Sequence, residues 1–148
     1  MNALDLLKFD HEAVNKIFSD ILLTSSADRA KREELFATLK EALIRHAHAE
    51  EKVFYPPLRD KKQSHDIVEE GIHEHHVMEE RLNKVAAIPM DSDDWLDAME
   101  DLKDCVQHHV HEEENEIFPK ARQLLGDAEL DSMGDRIQQA KAQEGPIH

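Results

Sequence analysis

Apolar residues recur along most of the chain at spacings of three and four, the period of an amphipathic helix. The first series is Leu4, Leu7, Val14, Phe18 and Ile21, and it stops at Thr24-Ser25-Ser26. The second is Leu35, Leu39, Leu43 and Val53, in a segment over about 28–55 that meets Pro56-Pro57. A proline has no amide hydrogen and clashes with the turn before it, so neither continues a helix cleanly. The third segment starts near Ser64, a suitable N-cap, carries Val68, Ile72, Met78, Leu82 and Val85, and ends near Ile88-Pro89. The fourth opens at Ser92, with Asp93 and Asp94 placed where the helix dipole favours acids. It carries Trp95, Ala98, Leu102, Cys105 and Ile117, with a kink expected at Pro119 and a stop at Gly126. A shorter helix is expected over about 128–142, and the last six residues are expected to fray. Long helices on short loops pack antiparallel. The expected fold is therefore all-α: an up-down-up-down four-helix bundle over about 4–125, then a short C-terminal helix and tail over about 128–148. All of it is expected to form one domain.

The pattern repeats. His46-Ala-His-Ala-Glu50-Glu51-Lys-Val-Phe-Tyr-Pro56 aligns with His109-Val-His-Glu-Glu113-Glu114-Asn-Glu-Ile-Phe-Pro119. Asp10-His11 with Val14 and Phe18 aligns with Glu74-His75 with Met78 and Leu82. The bundle therefore reads as two copies of one helical hairpin, packed face to face about a pseudo-twofold axis. A site built in the first copy should meet its twin near that axis.

Each apolar series has a vacancy filled by a histidine: His11, His46, His75 and His109 in turn. Glu50 and Glu113 follow the second and fourth of these by four residues, on the same face one turn later. Burying an unpaired polar group costs about 1–3 kcal/mol, and an ionised carboxylate several kcal/mol. A domain of this size has about 5–15 kcal/mol of net stability. Bound cations remove the penalty. Imidazole nitrogens with carboxylate oxygens suit a pair of first-row metals bridged by the carboxylates. His73, His76 and His108 flank the inward stripe, and Glu51 and Glu114 lie close to it, so these five are weaker candidates as ligands or supports. His48 and His111 fall on the solvent side, and His65 and His148 on the surface or tail. Cys105 reads as a packing residue.

Composition narrows the rest. There are 18 basic and 33 acidic residues, a formal charge of −15. That excludes nucleic-acid binding as the default, since phosphate contacts need a basic surface, and argues against an anionic membrane face. One cysteine allows no internal disulfide and fits a reducing cytoplasm. No apolar run approaches a membrane span. Gly and Pro together number nine, few breakers for a chain of 148 residues. Eleven histidines are the unusual count.

The pairs His46/Glu50 before Tyr55-Pro56 and His109/Glu113 before Phe118-Pro119, with His11 and His75 on the first and third helices, resemble the hemerythrin family and its bacterial HHE cation-binding domains. The likeness covers about residues 4–125. It implies two iron ions, carboxylate- and oxo- or hydroxo-bridged, with zinc or manganese as substitutes, that bind O2 or a related small ligand. Oxygen-carrying members have a second histidine four residues before the one matched by His75. Here that position is Gly71. One metal is thereby expected to be less saturated, unless His73, His76 or a carboxylate swings in, which shifts the expectation from oxygen carriage toward peroxide or nitric oxide reactivity or iron sensing; alternatively, Gly71 only permits close helix packing. Two alternatives stay open: a di-iron oxidase or peroxidase acting on peroxide, O2 or nitric oxide, and a bundle in which zinc is purely structural.

Overall fold

A computed structural model describes residues 1–145; His148 lies outside the described residues. The helices are α1 (Ala3–Leu22), α2 (Arg29–Ala49), α3 (Tyr55–Arg59), α4 (His65–Ala86), α5 (Asp93–Glu112), α6 (Phe118–Leu124) and α7 (Asp127–Gln143). α1 packs on α2 and α4 on α5, as the two hairpins predict, and α7 lies across α1 and α2. Asn2 caps α1 by accepting from the Asp5 amide at 2.9 Å, and Ser92 caps α5 through the Asp94 amide. Ser64 stands at the N-cap of α4, but its hydroxyl donates to the Leu58 carbonyl instead.

Both motif prolines are carried without a break. A π-helical turn over Glu50–Phe54 precedes Pro56, and another over Glu113–Ile117 precedes Pro119. In each, the amide of the aromatic residue reaches back five positions, Tyr55 to the Glu50 carbonyl and Phe118 to the Glu113 carbonyl. The wide turn relieves the clash that a proline makes with an α-helical ladder. It also advances the buried register by one residue, so Tyr55 and Phe118 turn inward. The helix expected to end at residue 55 instead runs on through the π turn to Arg59, and a π turn also precedes Pro119. α6 ends just before Gly126, as expected, but Gly126 has an extended backbone rather than a left-handed one and stands at the N-cap of α7.

Two apolar cores sit on either side of a polar layer. One gathers Leu4, Leu7, Phe54, Tyr55, Leu58, Val68, Phe118 and, from α7, Leu130, Met133 and Ile137. The other gathers Val14, Phe18, Ile21, Leu39, Leu43, Met78, Leu82, Trp95 and Leu102. Arg32, buried on α2, closes the far end: it stacks on Trp95 and donates to Thr24 and the Met90 carbonyl. Gly134 lets α7 lie against the start of the chain, since a side chain there would collide with the Met1 carbonyl. No helix among the described residues is long and apolar enough to cross a membrane.

Candidate metal centre

The polar layer consists of His11, His46, Glu50, His75, His109 and Glu113, all buried. Donor atoms of His11, His46, Glu50 and Glu113 form one cluster, and those of Glu50, His75 and His109 form a second. His11 Nε2 lies 3.0 Å from Glu113 Oε1, and His46 Nε2 3.3 Å from Glu50 Oε1. His75 Nε2 lies 3.0 Å from Glu50 Oε1, and His109 Nε2 3.4 Å from Glu113 Oε2. Glu113 thus offers one oxygen to each half of the site.

The outer ring nitrogens explain the orientation. Each Nδ1 donates to an acid: His11 to Glu114 at 2.7 Å, His46 to Asp10 at 2.8 Å, His75 to Glu51 at 2.8 Å and His109 to Glu74 at 2.7 Å. A proton fixed on Nδ1 leaves the Nε2 lone pair facing inward. The repeat governs this ring too, since Asp10 aligns with Glu74 and Glu51 with Glu114. Aromatic rings obey it as well. Phe118 stacks on His11 at 5.9 Å and Tyr55 on His75 at 5.5 Å. His11 meets His46 edge-on at 4.9 Å, and His75 meets His109 at 4.8 Å.

The two copies differ at the aromatic ring. The Tyr55 hydroxyl donates to Glu113 Oε2 at 2.6 Å. Phe118 has no hydroxyl to do the same. Room for that hydroxyl comes from Gly71, where an added Cβ would sit 3.0 Å from it. Gly71 therefore leaves no gap; the phenol of Tyr55 fills the space.

The electrostatics follow from burial against close opposite charge. Burial would lower His46, but Glu50, Asp10 and Glu113 hold its pKa well above the ordinary imidazole value. His109 is likewise raised, against burial, by Glu113, Glu50 and Glu74, and His75 is raised by Glu50 and Glu51. Burial would raise Glu113, but its contact with Glu50 and the close imidazoles of His109, His11 and His46 keep it well below the usual carboxylate range. Burial and the charges of Glu113 and Glu50 push the Tyr55 phenol well up. The donor set also fits a cation by its unmet valence: His46 Nε2, His109 Nε2 and Glu50 Oε2 are buried without a hydrogen-bond partner. Native interiors rarely leave such atoms unpaired.

Sequence reasoning placed all six inward residues in one layer. Glu51 and Glu114 contact the outer nitrogens of His75 and His11 and do not face the centre. His73 and His76 are exposed and outside both clusters. His108 is exposed and joins a separate group with Glu74 and Glu112. His48, His65 and His111 face solvent. Cys105 is only half-buried, because Val106 takes the inward position three residues before His109. The reading missed Asp10 and Glu74 as partners of the histidines, although the aligned dipeptides Asp10-His11 and Glu74-His75 carried the signal. It saw Tyr55 only as the aromatic before a proline, because the π turn that rotates it inward has no periodic signature.

Comparison with known proteins agrees with this architecture. The family model described as the hemerythrin HHE cation binding domain matches residues 2–121. The chain belongs to that family, and it is a hemerythrin-like, cation-binding helical bundle. It is 31% identical over 142 residues to a DNA nickase of Nostoc sp. (strain PCC 7120), covering 96% of this chain but 40% of that protein. The chain thus spans well under half the length of that relative. It is 24% identical over 139 residues to an uncharacterized hemerythrin-like protein of Schizosaccharomyces pombe, covering 93% of this chain and 68% of the other. In fold it is similar to the crystal structure of a hemerythrin HHE cation binding domain-containing protein from Mycobacterium kansasii, with a TM-score of 0.84 and 23% identity over 96% of this chain and 88% of that one.

Proposed function

We propose that the polar layer holds two iron ions, one between His11 and His46 and one between His75 and His109, with Glu50 and Glu113 shared between them, and that the chain binds O2 or a related small ligand there. The observation that carries this reading is that His46 Nε2, His109 Nε2 and Glu50 Oε2 are buried without a hydrogen-bond partner, within residues whose donor atoms gather into two clusters. Non-haem iron supplies redox-active binding of small oxygen- and nitrogen-containing ligands. The protein's own residues do the rest. The four outer acids fix the tautomer and angle of each imidazole. Tyr55 holds Glu113 in place and presents a proton donor beside it. A small enclosed cavity of about 20 Å³, lined by Leu43, Met78 and Val106 and by His11, His46 and His109, adjoins the inward nitrogens. A cavity of that size has room for about one water-sized ligand. A groove of about 300 Å³ past Asn15, Phe18, Val110 and Glu114 reaches His11 from the surface.

Binding, rather than turnover of a large substrate, is the use this geometry supports best. The action on DNA that the Nostoc relative's name states is not the function proposed for this chain, which covers 40% of that protein and carries a net charge of −15, unfavourable for phosphate contacts. The test is the visible spectrum of iron-loaded protein, recorded with and without azide. A ligand-sensitive charge-transfer band is expected. An iron-loaded protein whose spectrum ignores azide, O2 and nitric oxide alike would contradict the ligand-binding role, and a protein that takes only zinc would favour a structural metal.

A further inference from the structure

The pseudo-twofold relation breaks at the outer acids. In the first copy, Asp10 accepts from His46 and also from the Lys141 ammonium, 2.6 Å away. Lys141 comes from α7, which Arg45 holds by donating to the Lys141 and Glu144 carbonyls. In the second copy, Glu74 accepts from His109 through Oε1, and its other oxygen has no hydrogen-bond partner. Glu74 is only 7% exposed. The repeat puts His108 where Arg45 stands and Glu112 where Ala49 stands. His108 Nε2 lies 3.4 Å from Glu74 Oε2 and 3.1 Å from Glu112 Oε1.

We propose that Glu74, His108 and Glu112 form a third divalent-cation site, open to solvent, in which a bound ion does for Glu74 what Lys141 does for Asp10. Ligand atoms held about 2 Å from one ion at tetrahedral angles lie about 3.3 Å apart, which the His108 distances match. One imidazole nitrogen with two carboxylate oxygens selects a first-row transition cation over calcium or magnesium. Water completes the coordination, because the pocket is broad and faces solvent. Glu74 and His108 line that pocket, with Glu112 beside them, and its walls add Glu70, His73, Asp101 and Asp104, and Arg81 beside Cys105.

The site does not depend on which metal fills the buried layer. Metal-free wild-type protein and the double variant H108A/E112Q are dialysed to equilibrium against the same buffered Zn²⁺, and bound zinc is counted. Both changes lie toward the solvent face of α5, and circular dichroism confirms the fold. The variant is expected to bind one equivalent fewer than the wild type. Should the buried centre fail to take metal, both counts fall together and the difference of one remains. A second variant, His108→Lys, supplies an ammonium in place of the imidazole and is expected to lose the same equivalent. Equal zinc counts in wild type and H108A/E112Q, or full uptake by His108→Lys, overturn the proposal.

Discussion

The Tyr55 hydroxyl reaches across the bundle from one hairpin copy to the other and donates to Glu113 at 2.6 Å. It stands against Gly71, whose missing side chain gives it room. Tyr55→Phe removes the donor and leaves a buried carboxylate oxygen short of one partner. The expected cost is about 1–3 kcal/mol of stability in the metal-free protein. Urea denaturation with the far-ultraviolet signal checks it. An unchanged midpoint would mean that the hydroxyl contributes nothing to holding Glu113.

Gly71→Ala tests the same contact from the other side. Alanine in a helix interior gains about 1 kcal/mol over glycine. Here its Cβ would press on a phenol that is 1% exposed and pinned between Glu113 and His75. The variant is expected to be no more stable than wild type, and to recover the helix gain only alongside Tyr55→Phe. Full stabilisation by Gly71→Ala alone would show that Tyr55 moves aside freely.

The repeat makes His46 and His109 equivalent. His46→Ala and His109→Ala are each expected to lose about one metal equivalent by elemental analysis after iron loading. Loss of the whole complement from one variant and none from the other would contradict the pseudo-twofold site.

The pH dependence of the metal-free chain has a definite sign. His46, His75 and His109 have raised pKa values in the fold. Their contribution is complete below the unfolded value of about 6.5 and is lost as pH rises through the raised values. Glu50 and Glu113 are lowered. Their contribution is present above about 4.5 and is lost as pH falls through the lowered values. Metal-free protein should therefore be most stable between about pH 4.5 and 6.5 and weaken toward alkaline pH. Metal affinity should move the opposite way, since ions and protons compete for the same nitrogens. Urea midpoints of chelator-treated protein at several pH values check the first statement. A midpoint that rises from neutral to alkaline pH would refute it.

Helical periodicity sufficed to find the bundle and the six inward residues because a 3.6-residue period leaves a buried stripe that any polar intruder interrupts. His11 and Glu50 were visible as such intruders. The outer acids were less legible, because Asp10 and Glu74 sit beside the stripe, where charged residues are ordinary. Tyr55 was hidden by a change of helix type. The π turns over Glu50–Phe54 and Glu113–Ile117 shift the register by one, and a proline forecasts a disturbance without specifying its form. The docking of α7 on the first hairpin was also out of reach, since its contacts, such as Lys141 with Asp10 across 131 positions of sequence, are between residues far apart in the chain.

The central claim is that cations satisfy the buried histidines and glutamates. Thermal melting of one preparation, chelated and then reloaded with iron, tests it most directly. Loading to a free metal concentration of about 100 times Kd adds about 2.7 kcal/mol to a fold that binds one ion, and more for a pair. The loaded protein is expected to melt clearly higher than the chelated one. Identical melting temperatures would contradict the account.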